Sequence, residues 1–360
     1  MPNIAVIPGD GIGKDVTIEA VKVLETMDKL FHLDLKLNHF DYGADRYLKD
    51  GTTLPESGFK ELRDNYDAIF LGALGDPRIP DMKHAKDILL GLRFRLDLYV
   101  NHRPVKLIHE KLCPLKDKMP KDINFVVFRE NTEGFYVGIG GNFKKDTPDE
   151  IAIQESVNTR KGVERIIEYS FQYAVANGLS HVTMSDKSNA MQYEGGLWQR
   201  TFDVVKERYP KIKTNHYYID AIAMQMIKKP EQFEVIVTNN MFGDIITDLG
   251  AQLQGGLGLG ASGNINPERN IGLFEPVHGS APKYAGKNIA NPMAAILSAQ
   301  MMLEFLGFKP QSNVISEAIE DAIEHDWTPR DLGGSLGTVE VGDYIVRYIE
   351  ENVAGKLKGI

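Results

Sequence analysis

Cysteine is almost absent from this sequence: Cys113 is the single one among 360 residues. An intrachain disulfide and a zinc site built on several cysteines are therefore both excluded. We interpret Cys113 as a small, partly buried residue that fills space in the fold.

Long apolar runs are also missing, since none reaches the roughly 20 residues that a membrane span requires. The first eight residues lack the basic flank and the cleavage site of a secretory signal. We therefore expect no membrane partner and a cytoplasmic location. The formal net charge of -9 would repel polyanions, so we also expect no nucleic-acid partner.

Several common catalytic motifs are absent as well. The nine histidines show no metal-ligand spacing, and no Gly-x-Ser-x-Gly elbow of a hydrolase is present. The turn Gly9-Asp10-Gly11-Ile12-Gly13-Lys14 has Lys14 where the Rossmann dinucleotide fingerprint requires its last glycine, and it does not match a Walker loop. Neither nucleotide-binding motif is therefore predicted here.

The content of 42% hydrophobic and 25% charged residues is typical of a globular protein. Short apolar segments alternate with amphipathic ones, beginning with a strand over 4–7, a glycine-rich turn and a helix over 15–30. This alternation predicts an α/β fold with a largely parallel sheet covered on both faces. Between 135 and 157 the pattern becomes polar and Gly-rich, which predicts an extended hairpin. The further predicted strands are 67–72, 124–128, 181–184 and 233–238.

Asp244 and Asp248 follow a buried strand at a spacing that places both carboxylates on one helix face. Two like charges this close favour a hard divalent cation such as Mg²⁺ or Mn²⁺ between them. The alternative is that Asp244 is a helix N-cap and Asp248 a solvated position. A third acid, Asp220, begins another predicted helix, and it too has the alternative role of a cap.

Three arginines lie at the ends of predicted elements: Arg93 on a helix, Arg103 at its exit, and Arg129 after an apolar strand. Guanidinium groups bind carboxylates bidentately and remain charged, so the three together could hold a dicarboxylate. Individually, each could be a surface ion-pair residue. Candidate proton-transfer groups are Tyr136 and Lys187, although a lysine in such a loop is usually solvated.

A turn-rich loop follows a short apolar strand from Glu275 to Gly286. Its backbone amides could approach an anionic cofactor, and the alternative is a purely structural loop.

With these motifs in this order, the sequence resembles the β-decarboxylating dehydrogenases that act on isocitrate, isopropylmalate, homoisocitrate, tartrate and D-malate. The resemblance runs from the turn at Gly9 to Asp331-Leu332-Gly333-Gly334. It implies a two-lobed fold, distinct from Rossmann, with a mixed, mainly parallel sheet and a β-arm for dimerisation. The implied domains are a larger cofactor-binding one, 1–100 with 256–360, and a smaller one, 101–255, with the dimer interface and the metal site.

The resemblance also implies roles for individual residues in an active site shared across a homodimer. Tyr136 and Lys187 would transfer protons, with Lys187 and Asp220 contributed by the other subunit. The metal ligands would be Asp220, Asp244 and Asp248. The small-molecule substrate would contact Leu89, Leu90, Arg93, Arg103, Arg129 and Asp220. The cofactor would contact Ile12, Glu275, His278, Gly279, Ser280, Ala281, Lys283, Tyr284, Asn291 and Asp331.

Leu89 and Leu90 offer an apolar surface, which favours an isopropyl group over a third carboxylate and makes isopropylmalate the expected substrate. D-malate or tartrate is the alternative, and a catalytically silent regulatory subunit is another.

The residues expected near the cofactor depart from the family pattern at two places. Lys86 replaces a Glu that many isopropylmalate enzymes place near the nicotinamide. Lys283-Tyr284 replaces an Asp of NAD-using members and resembles NADP-using ones, whereas the segment 328–334 resembles the NAD pattern. We therefore expect NAD, with NADP as the alternative.

Overall fold

The computed structural model describes residues 1–357, which contain twelve strands and twelve α-helices. The strands are β1 (Asn3–Ile7), β2 (Lys36–His39), β3 (Ala68–Leu71), β4 (Val100–Lys106), β5 (Asn124–Glu130), β6 (Gly140–Phe143), β7 (Ile151–Gln154), β8 (His181–Asp186), β9 (Lys213–Tyr218), β10 (Val235–Thr238), β11 (Ala261–Asn266) and β12 (Ile271–Pro276). The helices are α1 (Ile12–Phe31), α2 (Ala44–Asp50), α3 (Glu56–Asn65), α4 (Lys83–Ala85), α5 (Gly91–Arg95), α6 (Arg160–Ala176), α7 (Gln192–Lys206), α8 (Ile219–Lys228), α9 (Asn240–Leu253), α10 (Met293–Phe305), α11 (Lys309–Glu324) and α12 (Thr338–Leu357).

The chain divides into two compact units. The first comprises Met1–Leu98, Leu107–Pro120 and the residues from Ala251 onward, and the second comprises Tyr99–Lys106 and Lys121–Gly250. The predicted domain bounds stay a prediction, and in this division Leu107–Pro120 falls in the first unit. The functions predicted for the two domains stay predictions.

In the first unit, five strands pair in the order β2, β1, β3, β12, β11. All of these pairs are parallel except β12 with β11, which run antiparallel. The sheet is covered by helices, because α10 packs against β3, β11 and β12 while α1 packs against α10 and α12. Strand β3 is buried at every position, as expected for a parallel strand covered on both faces.

In the second unit, five strands pair in the order β4, β5, β10, β8, β9. Here the pair of β4 with β5 is antiparallel, and the other three are parallel. Helix α6 packs against β5, β8, β10 and α7. The predicted α/β fold with a mixed, mainly parallel sheet is thus confirmed.

The predicted hairpin is also confirmed, since β6 and β7 pair antiparallel and form a separate two-stranded sheet. Its role in dimerisation stays a prediction. Across residues 1–357, no helix combines the length and the apolar character that a membrane span needs.

Candidate active site

Helix α9 carries the acidic pair of the second unit. Asn239 precedes it, and its Oδ1 accepts a hydrogen bond from the backbone N–H of Phe242 at 2.8 Å, so Asn239 caps the helix. Asp244 lies inside α9, so its alternative role as an N-cap is ruled out. Asp248 follows one turn later and is exposed.

The carboxylate of Asp244 meets three of the predicted site residues. Arg129 Nη1 donates a hydrogen bond to its Oδ1, and Arg103 Nη1 lies 3.5 Å from the same oxygen. The hydroxyl of Tyr136 donates to Oδ2 at 2.9 Å. The structure therefore brings Arg103, Arg129, Tyr136 and Asp244 together within one unit.

Both arginines are buried and held in position by neighbouring polar groups. Arg129, only 1% exposed, donates from Nε to Asn240 Oδ1 at 2.9 Å. Arg103 Nη1 donates to Thr247 Oγ1 at 2.6 Å. A Cβ on Gly243 would lie 2.6 Å from Arg129 Cβ, so only glycine allows α9 to approach this side chain so closely. Arg103 lies within β4 rather than at a helix exit, because the chain is already extended from Val100 onward.

A buried acid organises the turn that leads from β5 to Tyr136. Glu130 accepts hydrogen bonds from the backbone N–H groups of Thr132 and Glu133 and from the Thr132 hydroxyl. Burial raises the pKa of Glu130 to about 7. Glu130 was not among the predicted site residues, although the sequence shows it beside Arg129 at the end of a predicted strand.

Asp244 and Asp248 have the donor chemistry of a hard divalent cation. Desolvation, together with the negative charge of Asp244, raises the pKa of Asp248 above its ordinary value. A cation beside the two carboxylates would stabilise their charged forms against desolvation and mutual repulsion, so these residues fit a Mg²⁺ or Mn²⁺ site. Within residues 1–357, however, no three His, Cys, Asp or Glu side chains are grouped closely enough to hold a metal ion. Asp220 of the same chain therefore does not join Asp244 and Asp248 as a third metal ligand.

Asp220 and Lys187 form a pair of their own. Lys187 Nζ donates to Asp220 Oδ1 at 2.7 Å, and this contact lowers the pKa of Asp220. Asp220 lies in the first turn of α8, and Lys187 follows directly after β8. That both come from the other subunit stays a prediction.

In the first unit, Arg93 Nη2 donates to Glu275 Oε1 at 2.6 Å, and both side chains are buried. Asn264 Nδ2 donates to the same oxygen at 2.9 Å. Glu275 lies within β12 and not in the following loop, because the strand continues to Pro276. The contacts found for Glu275 are thus structural, and its predicted contact with a cofactor stays a prediction.

Leu89 and Leu90 are half-buried and belong to a π-helical segment, Lys86–Leu90, which connects α4 to α5. Leu89 packs against the apolar core of the first unit. Lys86 is exposed on the same segment. The predicted helix is present, with a wider turn than the sequence pattern indicated.

The loop after β12 combines a buried ring nitrogen with an exposed glycine and a close backbone contact to the turn at Gly11. His278 Nε2 is buried and has no hydrogen-bond partner in the described part of the chain, and burial lowers the pKa of this ring. Gly279 is exposed and Ser280 is buried, and the backbone carbonyl of Ser280 accepts from Ile12 N–H at 2.7 Å. A Cβ at Gly11 would lie 2.1 Å from that carbonyl, so the turn at Gly11 must be glycine.

The other predicted cofactor residues continue along this part of the first unit. Ala281 adopts a left-handed conformation with φ 36 and precedes Lys283 and Tyr284, both of which are exposed. Lys283 Nζ lies 4.7 Å from the ring centroid of Tyr284. Asn291 Nδ2 donates to Asp331 Oδ2 at 3.0 Å, which links the loop to the segment 328–334 that resembles the NAD pattern.

A model of the family described as isocitrate/isopropylmalate dehydrogenase matches residues 3–345. The chain belongs to this family. A 3-isopropylmalate dehydrogenase from Bifidobacterium longum is 48% identical over 346 residues, which cover 96% of this chain and 98% of that protein. A 3-isopropylmalate dehydrogenase from Thermobifida fusca is 44% identical over 350 residues, covering 97% and 98%.

Solved structures of the isocitrate/isopropylmalate dehydrogenase family share the fold. An isocitrate dehydrogenase from Methylococcus capsulatus matches with a TM-score of 0.87 at 36% identity, over 97% of this chain and 99% of that one. A β-decarboxylating dehydrogenase from Thermococcus kodakarensis matches with a TM-score of 0.80 at 32% identity, over 98% of each chain. The resemblance predicted from the motifs is confirmed.

Proposed function

We propose that this protein oxidises and decarboxylates 3-isopropylmalate to 4-methyl-2-oxopentanoate and CO₂, with NAD as hydride acceptor and Mg²⁺ or Mn²⁺ as the metal. The observation that carries the reaction class is the group of Arg103, Arg129 and Tyr136 around Asp244. The substrate is supported by the names of the relatives and by the apolar side chains of Leu89 and Leu90. The reaction is a step of leucine synthesis.

Arg103 and Arg129 would bind a carboxylate of the malate portion. Their guanidinium groups are buried and held by Thr247 and Asn240, so little conformational entropy is lost when a carboxylate binds. The role of Arg93 with the same substrate remains part of the proposal. Its buried Nε has no hydrogen-bond partner in the described residues, which would suit an additional anionic group.

Two groups would move protons. Lys187 would take the proton of the C2 hydroxyl while the C2 hydride leaves for the nicotinamide, and Tyr136 would return a proton to C3 after CO₂ departs. When bound, the metal coordinated by Asp244, Asp248 and Asp220 supplies Lewis-acid stabilisation of the negative charge that develops on the substrate oxygen. Because Asp220 contacts Lys187, the metal ligand and the general base would lie next to each other.

We propose that the active site is completed by a second copy of the chain. The hairpin carries four exposed apolar side chains, Ile139, Phe143, Ile151 and Ile153, which suit a buried interface between subunits. Such an interface would let Asp220 and Lys187 of one copy meet Asp244 and Asp248 of the other.

For the cofactor, we propose that the segment 275–291 with Ile12 and Asp331 binds NAD. The exposed Gly279 leaves the loop backbone open to a ligand. Because His278 Nδ1 donates to Gly279 O, the buried Nε2 of the neutral ring would accept a hydrogen bond from a donor group of the cofactor. The exposed Lys283 could meet the additional phosphate of NADP, so both cofactors belong in the test.

The decisive experiment is a matrix of NAD and NADP against isopropylmalate, D-malate, tartrate and isocitrate, with and without a chelator. We expect the highest kcat/KM with isopropylmalate and NAD, and loss of turnover on chelation. A higher kcat/KM with D-malate would contradict isopropylmalate as the substrate.

The proposed role of Lys187 is tested by substitution. Lys187→Met should lower kcat by at least about 100-fold, in the range of general-base catalysis. The control Lys206→Met, which removes a surface ion pair with Asp203, should leave kcat unchanged.

A further inference from the structure

The buried carboxylate of Asp10 connects three segments of the first unit. Its Oδ1 accepts from the backbone N–H of Ala44 at 2.6 Å, and its Oδ2 accepts from that of Gly75 at 2.8 Å. The backbone N–H of Asp10 itself donates to Ala73 O at 2.7 Å. Asp10 is 3% exposed, so these contacts are shielded from solvent. The glycine-rich turn therefore holds neighbouring segments of the first unit together, and it also contacts the loop at Ser280.

His84 provides a further contact to this carboxylate. Its side chain has no exposed surface, and its Nε2 lies 2.9 Å from Asp10 Oδ2. Because a carboxylate accepts hydrogen bonds, we assign the proton to Nε2, so that His84 donates. The ring also stacks against Tyr47 with centroids 6.1 Å apart. His84 is thus fixed in both position and ring orientation.

The segment that follows His84 has unusual helical geometry. The Gly91 N–H donates to the carbonyl of Lys86, five residues earlier, and so closes a π turn. Such turns are rare and are frequently found at functional sites, and each carries one residue more than the α-helical turn it replaces. This turn contains Leu89 and Leu90, the two side chains proposed to select the substrate.

We propose that Asp10 and His84 form a positioning pair, which fixes the start of this helical segment and thereby sets the preference for a 3-alkylmalate over unsubstituted malate. The inference rests on the proposed function and adds to it two residues that would not touch the substrate. If the anchor is lost, the segment can return to regular α-helix. A shift of one residue would rotate the side chains of the turn by about 100°, while the buried Leu92 keeps α5 in the core. Leu89 and Leu90 would no longer face the alkyl group in the same way.

The test is substitution at both ends of the pair. His84→Phe keeps the ring but removes the donor, whereas His84→Gln keeps a donor at a similar distance from the backbone. Asp10→Asn replaces one of the two acceptor oxygens. Lys83→Ala is the matched control, because Lys83 lies on the same short helix and its side chain forms an exposed ion pair with Asp87. Each variant is assayed with 3-isopropylmalate and with D-malate, and its melting temperature confirms folding.

We expect His84→Phe and Asp10→Asn to lower the ratio of kcat/KM for isopropylmalate to that for D-malate by about 10-fold, the effect of a misplaced apolar contact. The loss should lie in KM for isopropylmalate, with kcat changed little. His84→Gln and Lys83→Ala should keep the wild-type ratio. A purely structural role would lower activity on both substrates in parallel and leave the ratio unchanged.

The outcomes separate this inference from the function on which it rests. Wild-type protein without isopropylmalate activity overturns both. Wild-type protein with that activity, whose substrate ratio survives both His84→Phe and Asp10→Asn, overturns only the positioning pair. If His84→Phe does not fold, the ratio in Asp10→Asn decides alone.

Discussion

The buried acid Glu130 should make the stability of this protein depend on pH. It lies at the end of β5, is 2% exposed, and accepts hydrogen bonds from the backbone of Thr132 and Glu133. Burial is the largest cause that raises its pKa to about 7, and the charge of Glu133 adds to it. The hydrogen bonds act in the opposite direction and do not cancel the burial.

The sign and size of the effect follow from this pKa. The ordinary value is 4.5, so between pH 4.5 and about 7 the folded protein holds a proton that the unfolded chain releases. The free energy of unfolding therefore contains a contribution that is fully present below pH 4.5 and is lost as the pH rises to about 7. Roughly 1.4 kcal/mol per pH unit gives a loss of about 3 kcal/mol across this window.

The variant Glu130→Gln removes the titrating group. Its amide places an N–H₂ opposite one of the backbone donors, which costs about 1–3 kcal/mol at every pH. Urea denaturation at intervals from pH 4.5 to 8 gives the free energy of unfolding for wild type and variant. Their difference should change by about 3 kcal/mol in favour of the variant as the pH rises. The exposed Glu207→Gln serves as the control. A difference between wild type and Glu130→Gln that stays constant over this range would refute the reasoning.

Further predictions concern the catalytic group, the hairpin and the metal. Tyr136→Phe should lower kcat by about 100-fold with little change in KM, as steady-state kinetics can check; equal turnover would remove Tyr136 from proton transfer. If the proposed dimer forms through the hairpin, Phe143→Asp with Ile153→Asp should give a monomer in analytical ultracentrifugation and abolish turnover, whereas an active monomer would contradict a shared site. Isopropylmalate should tighten Mn²⁺ binding to the metal-free protein about 10-fold in calorimetry, and an unchanged dissociation constant would contradict linkage between the two ligands.

Much of the fold could be predicted because its buried parallel strands are continuous apolar runs. Strands β3 and β10 are short, wholly buried and bounded by turns, which is the pattern that identifies such strands. The hairpin of β6 and β7 was predicted from its change to polar and Gly-rich sequence. Fixed local patterns of this kind need no information about distant residues.

The contacts within the site could not be predicted in the same way, because they join residues far apart in sequence. Asp10 meets His84 across 74 positions, and Arg129 meets Asp244 across 115. The π turn was also missed, since it differs from an α-helix by a single hydrogen bond while the apolar spacing looks helical. Arg103 was placed at a helix exit rather than within β4, because the following residue is Pro104 and proline argues against the interior of a central strand.

Two acids of the candidate site, Asp244 and Asp220, are already paired with cationic side chains within one chain. Asp244 contacts Arg103 and Arg129, and Asp220 contacts Lys187. A divalent cation must therefore compete with these side chains for the same carboxylate oxygens. A dicarboxylate substrate would relieve the competition, because its carboxylates can take the arginines from Asp244 while the cation takes their place beside it. The two ligands together add no net charge to the site, so each should bind better when the other is present.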